Sequence, residues 1–350
     1  MPRAFIRGLL LLFPALVGLS QTPQSAGQQT ADAPPAAVSP FENAENLAAR
    51  GRLDQAKALL DKLAAQTPEP AGVERLRGII FYQKEDFPDA INAFVKASAQ
   101  DPNDREAAEM HGVSLYRSGR AAEAIPFLEG AHAAVERANI DPQYVLGLCY
   151  TDVQRFDDAR RAFATQYGFV PDSAEAHLLA ARLFLRREAV AEAGIEARKA
   201  LEINPTLPMA HQLLAEVALA KADVPAAIRE LETERKINPL NGNLYDRLGD
   251  AYLRNGQFEE AQQALNRAVV LEPNATAPYI MLGQTFLRLN QPIQALHYLD
   301  HAAKMDPSNL LTHNLLGQAY KATGQVDEAN REFQLLVDLQ HHDKPLPAEK

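Results

Sequence analysis

The sequence predicts an all-α solenoid of about nine helix-turn-helix repeats, and three recurring columns of residues predict it. Alanine returns at Ala56, Ala90, Ala124, Ala159, Ala193, Ala227, Ala261, Ala295 and Ala329, spaced by 34 residues at every step but one, which is 35. Ala44, Gly78, Gly112, Gly147, Ala181, Ala215, Gly249, Gly283 and Gly317 keep the same register with the same single slip. Both columns are small because antiparallel helices approach closely only where side chains are nearly absent. The third column, Pro68, Pro102, Pro171, Pro205, Pro239, Pro273 and Pro307, follows each second helix, which proline cannot continue. At 350 residues the usual expectation is two or three globular domains. The period overrides it, because hairpins repeating in this way bury their apolar faces only against their neighbours.

The clearest copy runs from Gly242 to Ala275. Tyr245, Leu248 and Tyr252, then Ala261, Leu265, Ala268 and Val269, recur at helical spacing in two runs, and Asn255-Gly256 breaks them into a hairpin. A 34-residue period with these small, aromatic and proline positions resembles the tetratricopeptide-repeat family, over residues 37–343. One column departs: Tyr245 and Tyr279 keep the large aromatic early in the first helix, whereas His177, His211 and His313 replace it, and the chain has no tryptophan. The resemblance implies a right-handed superhelix whose first helices line a concave groove for peptides or partner helices.

Residues 1–20 carry Arg3 and Arg7, an apolar run from Leu9 to Leu19 and a small-residue end at Gly18-Leu19-Ser20, the pattern of a signal peptide cleaved near Ser20. The run is short for a permanent membrane helix, Pro14 disfavours an uncleaved anchor, and no cysteine follows to carry a bacterial lipoprotein anchor. An exported protein, periplasmic or secreted, is expected. Residues 21–36, rich in Gln, Ala, Pro and Ser, read as a disordered linker with too little apolar surface to offset its ordering entropy. The net charge of −10, or −12 without Arg3 and Arg7, and the lack of a basic block argue against nucleic acid as a partner.

The copies span 37–70, 71–104, 105–139, 140–173, 174–207, 208–241, 242–275, 276–309 and 310–343, followed by a polar tail over 344–350. The first opens with a weak helix from Phe41 to Ala49, stopped at Gly51, and suits an N-terminal cap. In the second, Phe81, Phe94 and Ala97 pack between helices, and Pro88 stands in a first turn, where a missing N–H costs little. The third holds the irregularity. Pro126 lies deeper in its second helix, and Glu136 to Ile140 replace the usual proline and add the extra residue, so a kink or an extended helix is expected. The fourth carries Leu146, Tyr150, Ala159, Phe163 and the only cysteine, Cys149, expected to pack as a small buried hydrophobe. The fifth and sixth place alanine at the glycine sites, and the seventh and eighth are the most regular. The ninth keeps the pattern through Gly317, Tyr320, Gly324, Ala329 and Phe333. Late in the second helices, Phe169, Ile203, Ile237, Leu271, Met305 and Leu339 are expected to cover the next hairpin. No hairpin follows Leu339, which with Leu335 leaves an apolar end that either docks on a partner or second copy or frays.

No catalytic constellation breaks the repeat rule. His177, His211 and His313 share a column and lie a repeat or more apart, too far to close a tetrahedral metal shell, so they read as packing substitutes. His297 and His301, at i and i+4 beside Asp300, have the spacing of a metal-hydrolase helix. They fall opposite the stripe of Ala295, Leu299 and Ala302, on the solvent side, with no third ligand implied. Glycine-rich phosphate loops and nucleophile elbows are absent. The expectation is therefore a protein that is not an enzyme and carries no cofactor or metal.

Register places Glu106, Glu109, Tyr144, Arg182, Gln212, Glu216, Asn243, Asp246, Asp250, Arg254, Gln284, Arg288, Asn314 and Gln318 in the implied groove. Its character is mixed polar with an acidic bias, and Asp246 with Asp250, one helical turn apart, favours a basic or mixed-charge ligand. The lysine and asparagine clamp by which chaperone-binding members of the family hold a peptide carboxylate is not found. The expected function is a non-catalytic scaffold binding protein or peptide segments outside the cytoplasm. A narrower reading is an accessory subunit of a cell-envelope assembly or secretion machine, and the alternative of another class is a metal-dependent enzyme using His297 and His301.

Overall fold

A computed structural model of the chain describes residues 38–131 and 141–342. The leader over 1–20, the linker over 21–36, the stretch from Glu136 to Ile140 and the tail over 344–350 lie outside these residues. Every regular element described is a helix, and the helices pair in sequence as nine hairpins. They are α1 (Pro40–Ala49) with α2 (Leu53–Ala64), α3 (Val73–Gln83) with α4 (Phe87–Gln100), and α5 (Arg105–Arg117) with α6 (Ala121–Ala131). Then come α7 (Pro142–Asp152) with α8 (Phe156–Tyr167), α9 (Ala174–Arg186) with α10 (Val190–Ile203), and α11 (Ala210–Ala220) with α12 (Val224–Ile237). The last are α13 (Gly242–Arg254) with α14 (Phe258–Leu271), α15 (Thr276–Arg288) with α16 (Pro292–Met305), and α17 (Leu310–Ala322) with α18 (Val326–His342). Together they form an all-α solenoid of helical repeats. Among the described residues no helix is long and apolar enough to cross a membrane.

Each hairpin begins and turns by local chemistry. Ser39, Asp104, Asp141, Ser173, Asn241 and Asn309 cap first helices, their side-chain oxygens accepting from backbone N–H groups of the first turn that have no intrahelical partner. At every apex one residue takes a left-handed backbone: Gly51, Glu85, Gly119, Gln154, Glu188, Ala222, Gly256, Asn290 and Gly324, with φ between 57° and 80°. The residue after it donates its N–H back to the third-last helical carbonyl, as from Gln257 to Tyr252 at 2.9 Å, which ends the helix and reverses the chain. The sequence marks this column only at glycines such as Gly51, Gly256 and Gly324, because five of its nine members are not glycine.

The two small-residue columns set how closely the helices pack. All nine alanines from Ala56 to Ala329 are at most 3% exposed. A Cβ on Gly78, Gly147 or Gly317 would lie 2.4–2.6 Å from the ring of Phe94, Phe163 or Phe333, and one on Gly249 or Gly283 would lie 2.3 Å from Leu265 or Leu299. A large side chain of the second helix thus rests on bare backbone of the first. Where Ala181 holds the glycine place, its counterpart sixteen residues on is Ala197, and both are fully buried. The small pair keeps the same spacing.

The departing aromatic column has a shared task. The hydroxyls of Tyr245 and Tyr279 donate to the carbonyls of Pro239 and Pro273 at 3.0 and 3.2 Å, and Nε2 of His313 reaches the Pro307 carbonyl at 2.9 Å. Each histidine also bonds through Nδ1 to a glutamate on its second helix: His177 to Glu196 at 2.6 Å, and His211 to Glu230 and His313 to Glu332 at 2.7 Å. The three are therefore hydrogen-bonded members of the hairpin and more than fillers of space. Between repeats, Tyr150 donates to Glu129, and Tyr252 to Glu232 at 2.7 Å. Arg160, 4% exposed, joins Asp157 and Asp172 at 2.7 Å and Glu196 at 3.5 Å, tying α8 to the next hairpin.

Two expectations change. Phe169 and Ile203 are exposed and do not cover the next hairpin: Phe169 lies beyond the Gly168 cap of α8, and Ile203 is the final residue of α10. Ile237, Leu271 and Met305 are half-buried, and at the end of the array Leu335 is exposed and Leu339 half-buried. Pro126 is taken up inside α6, which continues to Ala131. Cys149 is fully buried, and burial pushes its thiol up to about 12.

Replacing strained apex residues should stabilise the array. Ala222→Gly and Glu188→Gly are each expected to add about 0.5–1 kcal/mol, read as a higher thermal midpoint. At the close contact, Gly249→Ala is expected to cost ~1–3 kcal/mol and Leu265→Ala ~3 kcal/mol. The double variant should lose less than the sum, because the truncated leucine admits the new methyl.

Candidate binding recess

First helices of neighbouring hairpins meet along most of the array, as α1 with α3, α9 with α11 and α15 with α17, whereas second helices make no comparable contact with one another. The first helices therefore lie on the inner side. Between α11 and α13 this contact slackens, and a recess of about 450 Å³ opens there across three successive hairpins. Arg182, Leu185 and Arg186 of α9, Met209 at the start of α11, Gln212 and Glu216 of α11, and Asn243 and Arg247 of α13 line it.

The lining is held from behind. Met209 adopts φ 70°, a left-handed backbone that is uncommon for a side chain of this size. Its amide N–H donates to Oε1 of the fully buried Glu234 at 2.7 Å, and its sulfur lies 3.7 Å from a guanidinium nitrogen of Arg182. Arg247 pairs with Glu216 at 3.1 Å and donates to the Asn243 side chain at 2.9 Å, and Gln212 reaches Glu216 at 3.5 Å. Arg182 and Arg186, one turn apart, have no carboxylate partner among the described residues.

Four of the residues placed by register, Arg182, Gln212, Glu216 and Asn243, thus come together in one site. The others do not join it. Glu106 pairs with Arg75 at 3.3 Å, the Tyr144 ring packs on Phe163, and Asp250 pairs with Arg254 at 2.9 Å. Asn314 accepts from Gln318 at 2.6 Å, Gln284 is half-buried and Arg288 exposed. Glu109 is a correction: it is 0% exposed and displays nothing to a ligand. Leu185, Arg186, Met209 and Arg247 were missed, although Arg186 stands two repeats before Arg254 in the same column and was open to the same reasoning.

Two carboxylates on the inner side are perturbed. Burial, then the charges of Asp141 and Glu106, push Glu109 up to about 7, and both its oxygens lack partners among the described residues. Burial, then Asp250, pushes Asp246 up to about 6. His297 and His301 are exposed, with the His301 ring tilted against Tyr279 at 4.4 Å between centroids. Among the described residues no group of three or more His, Cys, Asp and Glu side chains is placed to hold a metal.

Two tetratricopeptide-repeat family models match the chain, one over residues 242–285 and one over residues 280–340. The match to the tetratricopeptide-repeat family thus takes in the last three hairpins, residues 242–340. Tetratricopeptide-repeat proteins bind protein or peptide partners and are in general non-catalytic scaffolds. The model described as T7SS, ESX-1 secretion system protein EccA1, N-terminal domain, matches residues 37–206. No curated protein matches the chain. Among solved structures, "MamA 41-end from Desulfovibrio magneticus RS-1" is 19% identical over 50% of this chain and 98% of that one, with a TM-score of 0.48. "YrrB: a TPR protein with an unusual peptide-binding site" is 21% identical over 53% and 95%, with a TM-score of 0.48. PilF of Pseudomonas aeruginosa is 22% identical over 47% and 75%, with a TM-score of 0.43.

The buried carboxyl of Glu109 fixes a sign for stability against pH. Its pKa is higher folded, at about 7, than the ordinary 4.5, so the folded array binds the proton more tightly and loses stability as pH rises from about 4.5 through 7. Glu109→Gln is expected to flatten this fall and to stabilise by roughly 2–3 kcal/mol at pH 8, with little effect at pH 4.5, as read from thermal melts across pH.

Proposed function

We propose that the chain is a non-catalytic scaffold that holds protein or peptide segments along the inner side of the array, with the recess between α9, α11 and α13 as its main contact. One observation carries this reading: side chains from three successive first helices converge on one opening large enough for several side chains of a bound segment. A curved stack of hairpins suits extended ligands, because each added hairpin lengthens the surface without rebuilding it.

Work outside the cytoplasm is part of the proposal and draws its support from the leader, with Arg3, Arg7 and the run from Leu9 to Leu19. The match of residues 37–206 to the N-terminal domain of a secretion-system protein favours the narrower reading, an accessory subunit of a secretion or envelope machine.

Photo-crosslinking in extracts of the source organism tests the use of the inner side. A photoreactive residue replacing Asn243 on α13 is expected to trap a partner, and the same group replacing the exposed Gln263 on α14 is expected to trap none. Adducts from position 263 with none from position 243 would overturn the assignment.

A further inference from the structure

We infer that the recess holds a carboxylate of its ligand between Arg182 and Arg186, so that the segment it prefers is acidic. This deepens the scaffold reading and rests on it. The charge arrangement of the recess carries the inference. Glu216 is neutralised by Arg247 at 3.1 Å, and Asn243 accepts from the same guanidinium at 2.9 Å. Those partners satisfy one another. What remains is a pair of like charges one turn apart on α9, neither paired with a carboxylate among the described residues. Such a pair is unfavourable on its own helix, and the fold leaves it uncompensated on a chain whose net charge is −10.

The surroundings sharpen its preference. Arg182 is half-buried, with the Met209 sulfur at 3.7 Å along one edge and the half-buried Leu185 beside it. Apolar walls of this kind screen an ion pair less than open water does. Two guanidinium forks offer parallel N–H groups that match the two oxygens of a carboxylate. The acidic pair on α13 is less open to a basic ligand. Asp250 is already bonded to Arg254 at 2.9 Å, and Asp246 is half-buried with its proton held up to about pH 6. At the recess the negative charge is thus compensated, and the uncompensated charges are positive.

An array of short random peptides, each made with a free and with an amidated C-terminus, tests this on the full chain. The peptides bound are expected to be enriched in Asp and Glu. Binding should weaken as salt rises, and by about tenfold or more in each of Arg182→Gln and Arg186→Gln, with the helical circular dichroism of both variants unchanged. Arg186→Lys should keep part of the affinity. Binding that survives amidation assigns the carboxylate to side chains, and binding lost on amidation assigns it to the chain end; either supports the inference. Enrichment in Lys and Arg, no charge preference, or undiminished binding by the double variant Arg182→Gln, Arg186→Gln would overturn the inference and leave the scaffold reading standing. Failure to bind any peptide would overturn both.

Discussion

The descent of a large side chain from each second helix onto bare backbone of the first sets the geometry of every hairpin. With a Cβ at Gly249 only 2.3 Å from Leu265, there is no slack in that contact, and the spacing of the two helices follows from it. The hairpin's outer surfaces are then fixed in relation to each other. The next hairpin meets the same surfaces, and the inner line of first helices is the sum of these equal steps. The recess departs from this regularity, since α11 and α13 meet less closely than α9 with α11 or α13 with α15.

Much of this was legible because packing in a repeat is written at a fixed interval. The alanine and glycine columns named the buried contact surfaces, and carrying the interval along the first helices brought Arg182, Gln212, Glu216 and Asn243 to one opening. Other features obey no interval. Glu109, Gln212 and Asp246 occupy one column, yet the first is fully buried, the second is buried with an edge on the recess and the third is half-buried. Their depth depends on the side chains above them in the adjoining hairpins, which the column does not specify. The left-handed apex was hidden for a different reason: glutamate, glutamine, alanine and asparagine bear that backbone in five copies, so composition concealed a conformation common to all nine.

Charge pairing was the least legible, because it runs between helices at angles that a linear pattern does not encode. One pair was open to the sequence and missed: Asp246 and Asp250 looked like a displayed acidic pair, but Arg254, four residues on along the same helix, answers one of them. Glu196 gathers His177, Lys199 and Arg160 from three helices in two hairpins. Counting acids and bases along the inner helices therefore gives their bias before pairing. The residue left after pairing has the opposite sign at the recess.

The column shared by tyrosine and histidine carries a lesson about substitution. Tyr245, Tyr279 and His313 all send a proton donor to the carbonyl of the proline six residues earlier, in the turn that joins one hairpin to the next. What these three residues share is reach and an N–H or O–H at the tip, so histidine can stand there for tyrosine, whereas phenylalanine would drop the bond. Comparisons that score such positions by oiliness will rank distant copies of this hairpin as more diverged than they are.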